Sequence, residues 1–279
     1  SYDSFADCEN LTSVSLPDGL KAIRGGAFEG CTSLAQIALP ETLTILDASA
    51  FRGCSALTAL EFPAALTEIY GIDLQGCSNL TAIRVAADNP NYSSDTHGVL
   101  YNKDKTKLLA YPSGLAGDYR IADTTQTIYV NAFRECINLK TLFIPESVTL
   151  IGYPKSEEEE WGNLRNPFTG CSSLTAIYVA EGNEYYSNDE NGILYDKGKT
   201  TLVHCPDRFS GSFVVPKTVT CIKIEAFANC AGLTSIVLPD GLERLQGGVF
   251  ENCVGLTEID IPDSVNMLGG ATFAGCTGL

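Results

Sequence analysis

The chain has 279 residues, of which 44% are hydrophobic, so it can bury a core, and collagen-like or disordered classes are excluded. Its 18 Lys and Arg against 34 Asp and Glu give a formal net charge of −16, which argues against a nucleic-acid partner. No apolar run approaches the roughly 18 residues of a membrane span, so no membrane insertion is expected. The sequence starts without the pattern of a signal peptide, and we expect any export signal to have been removed or not included.

Cysteines mark a repeat along the chain. Nine of the eleven cysteines follow one another at separations of 23, 23, 23, 59, 35, 59, 23 and 23 residues. They are Cys8, Cys31, Cys54, Cys77, Cys136, Cys171, Cys230, Cys253 and Cys276. In one unit Leu34, Ile37 and Leu39 have the spacing L-x-x-I-x-L. The alternation at its end predicts a short β-strand closed by Pro40. Because one such strand cannot bury its own apolar face, the units are expected to stack as a parallel solenoid.

The longer gaps between cysteines indicate irregular insertions, near 86–118, 152–166 and 180–212. Residues 74–133 align with residues 168–227 at a constant offset of 94, which indicates a duplicated segment. Each copy contains two apolar runs around a polar turn, and this pattern predicts an inserted β-hairpin.

The motif F-x-G-C-[TS]-x-L-T-x-I-x-L-P-x-x-L-T-x-I is present almost unbroken at 28–46, 51–69 and 227–245. The sequence resembles the BspA-type leucine-rich repeats of bacterial and protist surface proteins over nearly its whole length. The resemblance implies one leucine-rich repeat solenoid domain over 1–279, of the α/β horseshoe class but β-rich with little helix. Its parallel β-sheet would have about ten short strands, interrupted by the inserted hairpins. It also implies a secreted or surface-attached protein that binds host proteins, matrix or other cells without catalysis.

The cysteines of the repeat are predicted to be buried fillers. Residues that recur in every coil lie in a row about 4.8 Å apart and do not converge on one metal ion. Parallel neighbours also point the same way, which disfavours disulfides between them. Cys205 and Cys221 lie outside the row, and either a bridge between them or two buried thiols is compatible with the sequence.

Catalytic and cofactor motifs are absent from the sequence. The two histidines, His97 and His204, belong to no recognisable triad, and no phosphate-binding glycine loop or metal-binding spacing occurs. The segment 187–192 superficially resembles a calcium loop, but Gly198 stands where an EF-hand has its bidentate Glu. A polar turn is favoured there. We therefore expect no enzyme, no cofactor and no metal site.

The exposed face of the predicted sheet is the main candidate for function. If Ile37 and Leu39 point inward, Ala38 points outward, and the same position can be followed through every unit. The middle of this row combines arginine, aromatic and β-branched side chains, a composition that interface anchors favour. The candidate ligand contacts are Arg84, Arg120, Phe143, Tyr178, Val214 and Val237. Covering by the hairpins, or β-propensity alone, is the alternative explanation of the row.

A second candidate lies on the insertion that carries the longest charge run and the only tryptophan. Its residues are Glu158, Glu159 and Trp161. They would suit a basic partner, whereas a solvated acidic loop whose Trp folds back onto the coil is the alternative.

These observations predict an extracellular or cell-surface recognition module, adhesin-like, that binds a protein or glycan on another cell or matrix surface. The alternative is a structural spacer segment of a larger surface protein. The sequence starts within a unit at 5–8 and stops at 276–279, so we expect a fragment of a longer protein or frayed ends. Ligand identity, anchoring route and oligomeric state are not determined by the sequence.

Overall fold

The structure, a computed structural model, describes residues 2–152 and 165–279. The chain divides into two compact units, the first of residues 1–116 and 124–138, the second of residues 117–123 and 139–279. Within the described ranges there are 21 strands and no helix. The strands are β1 (Ala22–Ile23), β2 (Ile45–Asp47), β3 (Ala59–Phe62), β4 (Glu68–Tyr70), β5 (Ala82–Val85), β6 (Tyr92–Ser94), β7 (Leu100–Asn102), β8 (Lys107–Ala110), β9 (Gly117–Arg120), β10 (Thr127–Ile128), β11 (Leu139–Ile144), β12 (Leu150–Ile151), β13 (Ala176–Val179), β14 (Tyr186–Asn188), β15 (Leu194–Asp196), β16 (Thr201–His204), β17 (Ser210–Val214), β18 (Cys221–Ile222), β19 (Gly232–Val237), β20 (Arg244–Leu245) and β21 (Met267–Leu268).

The strands outside the hairpins form two parallel series. The first-strand series follows the L-x-x-I-x-L motif and comprises β3, β5, β9, β11, β13, β17 and β19. The second-strand series lies later in each coil and comprises β1, β2, β4, β10, β12, β18, β20 and β21. The predicted solenoid of parallel strands is confirmed. The second strand of the coil is an addition to the one strand per unit that the sequence indicated.

In the first unit, the parallel register repeats every coil. Ile23 lies opposite Leu46, and Leu46 lies opposite Ile69, along β1, β2 and β4. In the first-strand series, Leu60 of β3 pairs with Ile83 of β5. Like side chains therefore lie over like side chains, and their stacking builds one continuous apolar core.

The second unit repeats this arrangement. Its first-strand series forms the sheets β9–β11–β13 and β17–β19, and β16, β18, β20 and β21 form a parallel row of the later strands. The core again consists of the repeated apolar positions, among them Phe227 and Phe250, whose rings stack with centroids 5.4 Å apart.

The motif at 35–39 forms no strand. Its backbone makes isolated bonds to the next coil, such as Thr58 N–H to the Ala35 carbonyl (3.2 Å), instead of a continuous ladder. Ile37 and Leu39 are nevertheless buried while Ala38 is exposed, so the predicted inward and outward alternation is present even there.

The predicted hairpins are present, and each adds a third antiparallel strand. In the first copy of the duplicated segment, β7 pairs with β6 and with β8. In the second copy, β15 pairs with β14 and with β16. Before β7, Gly98 accepts a hydrogen bond from Ile83 N–H at 2.8 Å, and Gly192 does the same for Ile177 at 3.0 Å. A Cβ on Gly98 would lie 2.8 Å from Cα and Cβ of Ala82. The hairpin loops thus cover β5 and β13 where a further strand of the series would pair.

Buried cysteines of the repeat donate hydrogen bonds from one coil to the preceding coil. Cys8 is exposed, Cys276 is partly buried, and the other seven are buried as predicted. The buried thiols are also hydrogen-bond donors, which sequence reasoning missed: the carbonyls of Phe28, Phe51 and Phe227 accept from Cys54, Cys77 and Cys253, each at 3.0 Å. Burial raises the pKa of the Cys54 and Cys77 thiols to about 12. These thiols therefore stay protonated and available as donors near neutral pH.

This burial predicts a sharp pattern of thiol reactivity. In the native protein at pH 8, iodoacetamide is expected to modify Cys8 readily and Cys276 more slowly, because the thiolate is the reactive form and the others are shielded. Peptide mass spectrometry before and after unfolding in urea measures the modified fraction at each position. Modification of Cys54 or Cys77 in the folded protein at the rate of Cys8 would contradict the buried ladder.

Candidate functional site

The six residues proposed as ligand contacts lie at outward positions of the first-strand series. Arg84 is on β5 of the first unit, opposite Glu61. The other five are in the second unit, where Phe143 of β11 pairs with both Arg120 and Tyr178, and Val214 pairs with Val237: Arg120, Phe143, Tyr178, Val214 and Val237. The structure thus brings together one group of three and one pair within the second unit.

Both arginines already have partners on the protein surface. Arg84 Nη1 lies 2.8 Å from Glu61 Oε1, and Arg120 Nη2 lies 2.8 Å from Asp123 Oδ1. The Arg120 guanidinium also stands over the Phe143 ring, 4.1 Å from its centroid. Such exposed pairs are weak, so either arginine could exchange its carboxylate partner for a ligand. Neither arginine is an unpaired charge in the protein as it stands.

The apolar members of the row are unusually open to solvent. Tyr178 is 49% exposed, Val214 is 67% exposed and Val237 is 58% exposed, whereas Phe143 is half-buried. At the outward positions two residues earlier, Thr141, Ser212 and Ser235 carry hydroxyls, with Ser235 donating to Ser212 at 2.8 Å, whereas Asp118 carries a carboxylate. The part of the row around Val214 and Val237 is therefore uncharged, although the chain as a whole is strongly acidic, while the part around Phe143 contains Arg120 and Asp118.

A groove beside this face was not foreseen from the sequence. It encloses about 650 Å³ and lies in the second unit, where the segments that follow β11 and β13 meet: Arg120, Asp123, Pro145, Glu146, Ser147, Ala180, Gly182, Glu184 and Tyr185. Tyr185 is 51% exposed. Gly182 permits the Glu146 carboxylate to lie close to the backbone, because a Cβ there would be 2.5 Å from Glu146 Oε1. The repeat period gave no signal for this groove, because it forms between segments that follow two different strands.

In the turn at 187–192, the Asp189 carboxylate accepts hydrogen bonds from the backbone of the turn and of the residue that follows it. Asp189 Oδ1 accepts the backbone N–H of Asn191 at 3.0 Å and of Ile193 at 2.9 Å. Asp95 makes the same two bonds at the equivalent turn of the first unit. This arrangement is the Asx-type turn leading into a hairpin that was favoured over a calcium loop.

The remaining sequence-based candidates have separate outcomes. Glu158, Glu159 and Trp161 lie outside the described residues. Cys205 and Cys221 are buried and unbridged. Among the residues that the structure describes, no group of three or more His, Cys, Asp or Glu side chains is placed to hold a metal ion. In the same part of the chain, no helix has the length and apolar character needed to cross a membrane.

Comparison with known proteins identifies the repeat. The BspA type leucine rich repeat region matches residues 1–108, 110–155 and 208–279 in six copies. A leucine rich cell surface protein from Faecalibacterium prausnitzii is 27% identical, with 91% of this chain covered and a TM-score of 0.64; this chain spans 60% of that protein's length. A leucine-rich repeat protein from Eubacterium ventriosum has the same fold at 23% identity, a TM-score of 0.59 and coverage of 97% and 78% of the two chains. No curated protein matches the sequence significantly. The chain belongs to the family of BspA type leucine rich repeat proteins.

Proposed function

We propose that the chain is a non-enzymatic, adhesin-like recognition module of a cell surface, which binds a protein or glycan on another cell or matrix surface. Its family and its similarity to a leucine rich cell surface protein support the location. The observation that supports the binding role is the exposure of Tyr178, Val214 and Val237 in the first-strand series of the second unit, with Tyr178 on β13 and the two valines on the paired strands β17 and β19.

The sheet holds these side chains in place before a partner arrives. Phe143 and Tyr178 are adjacent on hydrogen-bonded strands, and the Arg120 guanidinium supports the Phe143 ring. A preformed surface loses little conformational entropy on association, so a few aromatic anchors can supply most of the binding free energy. The adjoining groove offers polar groups that would surround such anchors.

The double substitution of Phe143 and Tyr178 by Ala tests this role. The probes are a panel of purified extracellular-matrix proteins and a glycan array, with affinity measured by biolayer interferometry. We expect the wild-type chain to bind at least one probe and the double variant to bind it at least about tenfold more weakly, the loss typical of central anchors. The melting temperature shows whether the double variant is still folded in the assay, because Tyr178 is 49% exposed but most of Phe143 is buried.

Tyr70→Ala is the matched control, since Tyr70 is a 55% exposed tyrosine on β4 of the second-strand series. It should leave the affinity unchanged. Equal losses in the control and the double variant would remove this face from the proposal. A wild-type chain that binds no probe would favour the spacer.

A further inference from the structure

The second unit buries two titratable side chains that the exposed face does not use. His204, at the end of β16, is fully buried, and Asp207 is 7% exposed. The distance from His204 Nε2 to Asp207 Oδ1 is 3.8 Å. Among the described residues, neither ring nitrogen and neither carboxylate oxygen makes a hydrogen bond of ordinary geometry, although the backbone amide of Gly170 still favours the ionised form of Asp207. Unpaired polar atoms at such depth are costly, so their protonation states matter to the stability of the unit.

The first unit has the same backbone at this place with different side chains. The offset of 94 places Ala110 at the position of His204 and Ser113 at the position of Asp207. The backbone hydrogen bonds match, because Tyr111 N–H to Ala132 O and Cys205 N–H to Ala226 O are both 2.7 Å long. The pair is therefore an alteration of side chains within an unchanged coil.

The position of Asp207 suits a donor. In the first unit, Ser113 donates its hydroxyl to the Cys77 carbonyl at 2.7 Å, and the Leu74 carbonyl lies 3.3 Å away. The buried thiols of the ladder likewise donate to carbonyls of the preceding coil. An ionised carboxylate can only accept hydrogen bonds, whereas a protonated carboxyl can donate one. The equivalent place in the first unit thus accommodates a donor, and it is burial that disfavours the ionised form of Asp207.

We propose that His204 and Asp207 form a buried one-proton pair, in which folding takes the proton from the imidazole and leaves one on the carboxyl. In the unfolded chain between about pH 4 and 6.5, the histidine is charged and the aspartate is ionised. In the folded unit both are neutral. One N–H is lost and one O–H is gained, so folding neither takes up nor releases a net proton at the pair.

The direction of each pKa shift supports this arrangement. Burial raises the pKa of Asp207 to about 7, and the Gly170 amide opposes only part of that shift. Burial also lowers the pKa of His204 to about 3, against the opposing effect of Glu225. The stability contributed by Asp207 is present below its unfolded pKa and is lost as the pH rises towards 7. The contribution of His204 has the opposite sign, because stability is gained as the pH rises towards 6.5.

Neighbouring titratable groups do not obscure this balance. Burial raises the pKa of Cys205 and Cys253, and contact with Cys205 together with burial raises that of Cys230, so these thiols stay neutral across the range. Glu225, the described carboxylate that acts on His204, is engaged by Arg165 at 2.7 Å. The pair thus buffers the stability of the second unit against acidification.

The test uses the full chain as wild type, Asp207→Ser, His204→Ala and the double variant, which has the side chains of the first unit. Urea unfolding between pH 4 and 7 gives the folding equilibrium constant of each protein, compared with the double variant at the same pH. For Asp207→Ser the constant should rise about tenfold per pH unit between about pH 4 and 6.5. For His204→Ala it should fall by the same factor between about pH 4 and 7. The wild type should run parallel to the double variant up to about pH 6.5.

NMR can show directly whether the shared proton is on His204 or on Asp207. At pH 5, NMR of the folded wild type should show a neutral imidazole for His204 and a protonated carboxyl for Asp207. A charged imidazole beside an ionised carboxylate would overturn the proposal even if no variant folds. Single variants that run parallel to the double variant would also overturn it, because both groups would then titrate as in the unfolded chain.

Discussion

Replacing Glu225 by Ala is expected to lower the free energy of unfolding by about 2–4 kcal/mol. Its side chain is 3% exposed, and it collects three donors from residues 165–169. Arg165 lies 2.7 Å from Oε1, while the Thr169 hydroxyl and the Asn166 N–H approach Oε2 at 2.9 and 3.3 Å. Removing the carboxylate leaves the buried hydroxyl and amide without this acceptor, and such donors cost more than the net worth of the bonds they lose.

Chemical denaturation at pH 7 measures the loss, and two variants locate its cause. Arg165→Ala should cost less than Glu225→Ala, because the Arg165 side chain is 51% exposed and the Thr169 and Asn166 donors still stabilise the buried carboxylate after its loss. Glu225→Gln keeps an acceptor oxygen and should lie between the two. Glu225 has a φ of 54°, and Ala bears a similar backbone strain there, so that strain does not enter the difference. Equal effects of Glu225→Ala and Arg165→Ala would show that the ion pair, not the buried donors, carries the stability.

Coil stacking could be predicted from the sequence because five of the eight cysteine separations are the same 23 residues. When Cys31, Cys54 and Cys77 recur every 23 residues, each fills the same place in successive coils, and this place must be buried for the stack to hold. The same register predicted that Arg120, Phe143 and Tyr178 would be neighbours despite the insertions between them. Their role in binding stays a prediction.

Ion pairs and hydrogen bonds across coils follow the same period as the core. Arg84 and Glu61 are 23 residues apart, as are Thr141 and Asp118, whose hydroxyl and carboxylate are 2.7 Å apart. Because equivalent positions of successive coils are neighbours, the spacing of 23 alone is enough to give Arg84 an acidic neighbour. Periodicity thus predicts partners as well as core positions, wherever two coils have the same length.

Other features depend on contacts that a repeat period does not encode. The groove beside Tyr185 forms where segments following two different strands meet, and its width depends on their backbone path. The His204–Asp207 pair arises from two changes within a duplicated coil, and only the structure shows that Ser113 donates a hydrogen bond at the matching place. The identity of a side chain at such a position does not show how deeply the position is buried.

Gly98→Ala is expected to lower the free energy of unfolding by about 2–4 kcal/mol, the sum of backbone strain and overpacking. Gly98 has a φ of +80°, and an added Cβ would lie 2.8 Å from Cα and Cβ of Ala82 and 3.2 Å from Ile83 N. Relief requires the hairpin loop to move away from β5, which lengthens the 2.8 Å bond from Ile83 N–H to Gly98 O. Urea denaturation gives the loss, and amide exchange at Ile83 reports whether that bond opens.

Gly71→Ala separates the two causes within the same unit. Gly71 has a similar φ of +62°, but its added Cβ would meet only Ala48 Cβ at 3.7 Å, an ordinary contact. This control should therefore cost about 1 kcal/mol, the strain of the left-handed backbone alone. If both variants lose the same amount, the close approach to β5 does not require glycine. A larger loss at Gly98 together with faster exchange at Ile83 would establish that the hairpin loop replaces the missing neighbouring strand by direct backbone contact.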